Sequence, residues 1–386
     1  MYTARPPSSF KNSHGRHPLE GPISRLVLTD DGGEPDVVAK CCWGCCNVEA
    51  PLRDLPFPQD RMITIKYSPH RGERTRAAKA SVFFVPVVDQ LPMSNRYYVV
   101  VAKGRNKGKV YACSKDDTCA CCSCGGVGQE EPRAFDHRNL YQQMEIVHEG
   151  DGFTAKSIAP DGQPPFLLGS KYWKAYASKH KNYHLQEALG LDAPIRACLP
   201  DLSFPISTRD APRVAVGKWY SPFMFIKEEC GLHDQMKHGM FYDITLEQYW
   251  KEVYACENAY LEEKLVEVNA IVDSKMALLD GKEVVVEDRK RHGYVWFKTL
   301  DGKRGMGLSL ALWERMVWEQ KRGGWLGDEE EVERIVRVEK YGGENATWKK
   351  FACYVLMERY VITRTDGSLA IAFDFSHVIK LRSKWE

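Results

Sequence analysis

Hydrophobic and polar residues alternate in several stretches of the chain, and short runs rich in Val, Phe and Tyr lie between turn residues. The stretches ASVFFVPVVDQ at 80–90, NRYYVVVAKG at 95–104 and KLVEVNAIVD at 264–273 have this pattern, which predicts strands. GRNKG at 104–108 is expected to form a hairpin loop, and Asp280-Gly281 a two-residue turn. Antiparallel pairing should therefore dominate the fold.

The same pattern predicts a hairpin near the end of the sequence. WKKFACYVLMERYVITR is followed by the turn dipeptide Asp366-Gly367 and then by SLAIAFDFSHV. Leu369, Ile371 and Phe373 share one face of the second strand together with Phe375, because side chains alternate between the two faces of a strand. We expect that face to be buried.

Three stretches are expected to be helical. The 308–322 stretch has Ser309 at its start as an N-cap, basic residues at its end and Gly323-Gly324 after it. TLEQYWKEVYACENAYLEE at 245–263 is a second candidate, with Thr245 as the N-cap. The third is 170–189, which is rich in aromatic residues.

These elements predict an α+β fold that is mostly antiparallel β with a few helices, arranged as two packed β-rich domains. Residues 1–60 are rich in Pro and Gly and are expected to form an extended arm. Residues 61–192 would form a β-rich N-terminal domain and residues 193–386 an α+β C-terminal domain. The boundary rests on the prolines between 192 and 213.

Composition limits the classes of partner. The chain has 44% hydrophobic residues and a formal charge of +2, which favours a folded protein and gives no strong nucleic-acid signal. We find no apolar run long enough to span a bilayer and no secretory signal at the start. A cytoplasmic or nuclear location is therefore expected, and the 13 cysteines would then be reduced.

Several segments resemble a known family. They include LEGP, the CCWG cluster, DLPFPQD, VFFVPVVDQ, SNRYYVV, VGKWYSPFMFIKE, WERMVWEQKRGGW and CYVLMERYVITRTDGSL. Spread over nearly the whole chain, they are similar to the plant-specific family called domain of unknown function 1262. The resemblance implies a plant source, an intracellular setting and stress- or defence-related expression. It implies no activity, fold or catalytic residue.

Two cysteine clusters carry the sharpest chemical signal. CCWGCC at 41–46 and CACCSC at 119–124 each contain a CxxC spacing. A tetrahedral Zn²⁺ site needs four ligands, which Cys42, Cys45, Cys119 and Cys122 could supply. Cys121 and Cys124 form an alternative second pair. No other cofactor is indicated.

Other interpretations of the cysteines stay open. They could be small packed side chains with free thiols, palmitoylated residues or redox sensors. The long separation between the clusters argues against a shared ion, because the fold would have to bring the two pairs together.

Two weaker patterns have ordinary explanations. His180 and His184 have the spacing of a metal-binding pair on a helix, but surface histidines explain them as well. The basic residues of 71–79 and 103–109, together with Tyr97 and Tyr98, could bind single-stranded nucleic acid by stacking. A solvated hairpin protected by lysines explains the same residues. The tryptophans of 313–325 are expected in the core or at an interface.

No catalytic motif is evident, so the expected function is that of a non-catalytic binding or interaction protein linked to stress or defence. Its partner would be a protein or a small molecule. One alternative is an enzyme, which a deep pocket with at least two strongly perturbed titratable groups would favour. Another is a membrane-active, pore-forming-like defence protein, because the hairpin predicted over 264–287 is amphipathic.

Overall fold

The computed structural model describes most of the chain, and antiparallel β-sheet dominates it. The described residues are 1–6, 24–29, 50–69, 77–90, 94–115, 131–178, 185–208, 211–259, 264–291, 293–327, 332–342 and 347–386. All structural statements below concern these residues. The α+β prediction is confirmed in its main feature, a largely antiparallel β architecture with a few helices.

Twelve strands lie in the first half. They are β1 Tyr2–Arg5, β2 Ser24–Val27, β3 Ala50–Leu52, β4 Ile63–Tyr67, β5 Ala78–Pro86, β6 Arg96–Val101, β7 Ser114–Lys115, β8 Gln143–Glu149, β9 Gly152–Ser157, β10 Gly162–Gln163, β11 Lys174–Ala177 and β12 Gly190–Leu191. The two helices of this half are α1 Phe166–Gly169 and α2 Ala193–Cys198.

The second half has longer strands. They are β13 Val214–Pro222, β14 Ile226–Glu228, β15 Phe241–Glu257, β16 Leu265–Asp273, β17 Lys275–Leu279, β18 Lys282–Arg291, β19 Tyr294–Thr299, β20 Gly305–Ser309, β21 Val332–Lys340, β22 Lys350–Arg364 and β23 Leu369–Trp385. Its helices are α3 Leu232–His238 and α4 Leu310–Arg322.

The larger sheet is built around the long strands β15, β22 and β23. The path across it is β14-β20-β19-β18-β17-β23-β22-β15-β13-β1-β2, and β12 pairs with β13. The pair β1 and β2 is parallel, whereas the other pairs of this sheet are antiparallel. Of the segment predicted as an extended arm, β1 and β2 belong to this sheet and β3 belongs to the smaller one. The boundary of the arm at residue 60 stays a prediction.

The smaller sheet has seven strands in the order β3-β11-β4-β5-β6-β8-β9. Its strand β5 is covered on both sides. Phe83 and Val85 join the hydrophobic core that the larger sheet also lines, while Val82 and Phe84 join a second core around Trp173. The two sheets thus share a core, and the division into domains at residues 192–193 stays a prediction.

Strands β16 and β21 form a separate antiparallel pair that covers part of the larger sheet. Val268 and Ile335 on its inner face pack with Phe351 and Val355 of β22. The alternation predicted for 264–273 is confirmed. The prediction of a single hairpin over 264–287 is wrong. Asp280-Gly281 joins β17 to β18, and the partner of β16 is β21.

The helix predicted at 308–322 is confirmed. It spans Leu310–Arg322, and the Ser309 hydroxyl accepts a hydrogen bond from Leu312 N at 3.3 Å. Leu312 and Met316 are buried in the shared core. The side chain of Ser309 therefore satisfies one of the backbone N–H groups that the start of a helix leaves without a partner.

The helix predicted over 245–263 is wrong, because this segment belongs mainly to β15. Thr245 lies opposite Lys218 of β13 and Val361 of β22, so the strand has a neighbour on each side. Ile244, Leu246, Gln248 and Trp250 are buried and the residues between them are half-buried, which is the period of a strand. The pairing overrides the helical spacing.

The helix predicted over 170–189 is also wrong in its described part. Lys174–Ala177 forms β11, which pairs with β3 and β4. Trp173 is fully buried and its indole N–H donates to Leu168 O at 2.9 Å. Of the aromatic residues that weakened the helical pattern, Trp173 is therefore a core residue of the smaller sheet, whereas Tyr172 is 39% exposed.

The predicted C-terminal hairpin is confirmed. β22 and β23 pair over most of their length, and Gly367 in the turn has a left-handed backbone with φ of 82°. Ile371 and Phe373 are buried as expected, whereas Leu369 is only half-buried. The strand is covered on both faces, since Ala372 between them is buried too.

Candidate functional site

The predicted metal ligands cannot be placed. Cys42, Cys45, Cys119 and Cys122 lie outside the described residues, as does the alternative pair Cys121 and Cys124. Within the described ranges, no three His, Cys, Asp or Glu side chains converge as metal ligands would. A structural zinc site therefore stays a prediction. The pair His180 and His184 also lies outside the described part of the chain.

The aromatic stacking platform predicted beside the basic residues is wrong. Tyr97 and Tyr98 are each 1% exposed, so a nucleic-acid base cannot stack on them. The predicted hairpin loop is confirmed, because Gly108 N donates to Val101 O at 2.8 Å and Val110 then forms an antiparallel bridge with Val100. In its described part, the basic segment is a loop with lysines beside a sheet.

A cavity of about 530 Å³ lies between the two sheets. One wall is formed by residues 87–90, which come directly after β5 in the sequence, and by Tyr98 on β6. The Asp89 N–H donates to the Ser24 hydroxyl at 2.9 Å, so a residue of the N-terminal strand β2 holds this turn. His137 and Leu140, which precede β8, line a second side.

Helix α4 supplies the opposite wall. Ala311, Glu314, Arg315 and Trp318 line the cavity, and their spacing places them on one helical face. Another side of the helix carries Leu312 into the core. Because the hydrophobic side anchors the helix on the larger sheet, the polar side is presented to the smaller sheet.

The tryptophans of 313–325 have different environments. Trp313 packs between Phe297 and Phe373, and Trp325 is buried, as expected for core residues. Trp318 instead is 37% exposed and lines the cavity, where Arg315 lies 4.2 Å from its ring centroid. The prediction of a core or interface position is therefore correct for the first two only.

Arg315 is the principal cation of the cavity. Its Nη2 atom is 3.9 Å from the Glu319 carboxylate, which is too far for a direct hydrogen bond. Burial lowers the pKa of Arg315, and the nearby charges of Glu319 and Asp89 oppose that change. A guanidinium stays protonated at neutral pH, so Arg315 offers N–H donors to a ligand.

The two titratable aromatic side chains of the cavity are neutral at pH 7. Burial raises the pKa of Tyr98 well above its ordinary value, and the Tyr98 hydroxyl donates to His137 O at 3.1 Å. Burial also lowers the pKa of His137. Tyr98 is bonded to the His137 backbone rather than to a base, so these two groups do not form a nucleophile–base pair.

The sequence did not predict the cavity, although it singled out two of the lining residues, Tyr98 and Trp318, in other roles. Asp89, His137 and Arg315 lie in distant segments, and only the fold brings them together. The one local signal is the helical spacing of residues 311, 314, 315 and 318. That spacing predicts a shared face but not what the face meets.

Comparison with known proteins supports the family resemblance over part of the chain. A family model described as "Protein of unknown function (DUF1262)" matches residues 20–123. This match supports the DUF1262 family. It spans both cysteine clusters, except for the final Cys124. No curated protein matches the chain.

Among solved structures, a similar chain is that described as "Crystal structure of Cry35Ab1". It is 11% identical, with a TM-score of 0.48, and the alignment covers 85% of this chain and 90% of that one. Within the described residues, no helix has the length and apolar character needed to cross a membrane.

Proposed function

We propose that this protein is a non-catalytic binding protein that holds a small zwitterionic organic molecule between its two sheets. The observation that carries the proposal is the cavity of about 530 Å³, where Arg315 lies with the carboxylates of Asp89 and Glu314 beside an apolar wall. Cavities of roughly 300–1,000 Å³ with few polar groups are typical of small-molecule sites.

The polar groups define the chemistry of the ligand. A guanidinium binds a carboxylate through two parallel hydrogen bonds, which suits Arg315 to the anionic end of the ligand. Asp89 and Glu314 accept hydrogen bonds and suit an ammonium group. Val87, Val88 and Leu140 would contact the carbon skeleton. A free amino acid or a related small amine-acid has these features.

The wider setting rests on the family resemblance. We infer a plant source, a role in stress or defence and a cytoplasmic or nuclear location, all of which remain proposals. The enzyme alternative would need a reacting group in the cavity, and Tyr98 is instead bonded to the His137 backbone. The membrane-active alternative loses its original basis, because 264–287 is not one hairpin.

Calorimetric titration with a panel of free amino acids tests the proposal, with Trp318 fluorescence as a second signal. We expect at least one to bind, and Arg315→Met to weaken that binding at least about tenfold, since a charged hydrogen bond is worth about 1.5–3 kcal/mol. Arg322→Met is the matched control. Arg322 also lies over Trp318, at 4.8 Å, but does not line the cavity.

Three results would contradict the proposal. The first is that no zwitterion binds at millimolar concentration. The second is that Arg315→Met binds as the wild type does. The third is that both arginine variants lose affinity equally, which would mean that helix α4 rather than a direct contact was disturbed. Chemical conversion of a bound compound would favour the enzyme alternative.

A further inference from the structure

The outer face of the β16–β21 pair carries a cluster of large hydrophobic side chains in contact with solvent. Ile271 and Val336 are 71% and 70% exposed, and three further residues of the face are also exposed. These three are Leu265, Val332 and Val338. We call these five residues and the polar residues between them the outer face. Exposed apolar clusters of this kind on a folded protein commonly mark interaction sites.

The position of the outer face follows from packing. Val266, Val268 and Val272 point from β16 into the core beneath, with Ile335 from β21. Side chains on a strand alternate, so the intervening residues must point away from the larger sheet. The hydrophobic residues of the outer face are therefore exposed because their neighbours in the same strands are buried against the larger sheet.

Charges on the outer face are sorted by strand. Glu267 and Asp273 lie on β16, and Arg334 and Lys340 lie on β21. Each lies opposite a hydrophobic residue: Glu267 faces Val338, Asp273 faces Val332, Arg334 faces Ile271 and Lys340 faces Leu265. One strand is therefore acidic and the other basic on this face.

This sorting makes the face complementary to a second copy of itself. A two-fold axis parallel to the strands would place β16 of one copy over β21 of the other. Glu267 would then lie over Val338 of the second copy, two residues along the strand from Lys340 of that copy. Asp273 would lie over Val332 of the second copy, two residues from Arg334 of that copy. Ile271 would lie over Arg334 of the second copy, with Val332 and Val336 of that copy on either side. Isologous interfaces have this self-complementarity.

We propose that two copies of this chain associate through the outer face of β16–β21. Hydrophobic contacts centred on Ile271 and Val336 supply the attraction, and the opposed charges select the orientation. The ligand cavity is lined by other elements, so this proposal does not depend on the proposed function.

Sedimentation velocity of the full chain, from about 1 to about 100 μM, brackets the micromolar range and tests the proposal. We expect a concentration-dependent dimer and at least about a tenfold higher dissociation constant for Val336→Glu, because Val336 would lie over Asn269 of the second copy and the new charge would be buried at the centre of the interface. Val285→Glu is the matched control, because Val285 is an exposed valine on β18. It should dimerise as the wild type does.

Charge reversal separates this orientation from other dimers. Glu267→Lys and Lys340→Glu should each weaken the dimer, and the double variant should restore it. Circular dichroism melting should show each variant folded. A monomeric wild type at the highest concentration, an unaffected Val336→Glu dimer, or no recovery in the double variant would overturn the proposal. A stable complex with a different protein through this face would also overturn it.

Discussion

Arg196 donates two parallel hydrogen bonds to Glu358, although 162 residues separate them in the sequence. Nε lies 2.8 Å from Oε1 and Nη2 lies 2.6 Å from Oε2. Glu358 is fully buried on β22, and Arg196 reaches it from helix α2. Gln248 also donates to Glu358, at 2.8 Å. This buried ion pair joins α2 to the centre of the larger sheet.

Replacing Glu358 should strongly destabilise the protein. Glu358→Gln removes the nearer of the two carboxylates that contact the buried Arg196 guanidinium, and only Glu319, at 3.3 Å from Nη1, remains. Removing one partner of a buried ion pair costs roughly 3–5 kcal/mol. Chemical denaturation measures the free energy of unfolding. Asp234→Asn is the control, because Asp234 pairs with Lys237 at an exposed site and should matter little. A loss no greater than that of the control would show that the pair is dispensable.

Acid should remove part of this stability. Burial alone would raise the pKa of Glu358, but the nearby His377 imidazole, with Nε2 3.6 Å away, and the hydrogen bonds from Arg196 outweigh it and hold the pKa far below its ordinary value of 4.5. A lowered pKa gives stability that is present above the unfolded value and is lost as the pH falls below it. The difference between wild type and Glu358→Gln should therefore shrink from about pH 6 to about pH 3, as denaturation curves will show. A constant difference would contradict the ionised pair.

Gly323 should not tolerate a side chain. A Cβ there would lie 2.0 Å from Arg196 Nη2, and the two hydrogen bonds to Glu358 prevent that group from moving aside. Its φ of −74° would otherwise allow alanine. Gly323→Ala should therefore lower the free energy of unfolding by about 1–3 kcal/mol, the usual cost of overpacking.

Gly342→Ala is the control for that glycine. A Cβ at Gly342 would meet no atom within 4 Å. Its melting temperature should stay close to that of the wild type. Equal effects of the two substitutions would mean that the contact with Arg196 is not the cause.

The C-terminal hairpin offers a test of the shared core. Phe373 is 1% exposed and its ring centroid is 4.9 Å from that of Phe297. Phe373→Ala should cost roughly 3–5 kcal/mol, as is usual for a core phenylalanine. Ile379→Ala on the same strand is the control, because Ile379 is 59% exposed. A loss below about 0.5 kcal/mol for Phe373→Ala would contradict its burial.

The cysteine clusters predict a metal that can be measured directly. If Cys42, Cys45, Cys119 and Cys122 bind one Zn²⁺, native mass spectrometry with metal analysis should find one ion per chain. A chelator should lower the melting temperature, and Cys45→Ser should have the same effect. The control is Cys230→Ser, at an exposed cysteine outside both clusters. If the chain contains no metal and a chelator leaves its melting temperature unchanged, the interpretation of these cysteines as free thiols is favoured.

The sequence by itself determined the elements that depend on neighbouring residues. Helix α4 follows from its hydrophobic spacing, its Ser309 cap and the glycines after it. The turns at Asp280-Gly281 and Asp366-Gly367 follow from the left-handed backbone that glycine adopts easily, which Gly281 and Gly367 both show. All of these signals lie within a few residues of the structure that they specify.

The tertiary structure decided everything that needs distant partners. The 245–257 segment is a strand because β13 pairs with one of its edges and β22 with the other. Strand β16 pairs with β21, although residues 274–331 lie between them in the sequence. Arg315 and Asp89 meet only because helix α4 packs against the shared core. Local spacing constrains a single element, whereas cross-strand pairing and cavity walls depend on free energies gained between segments far apart in the chain.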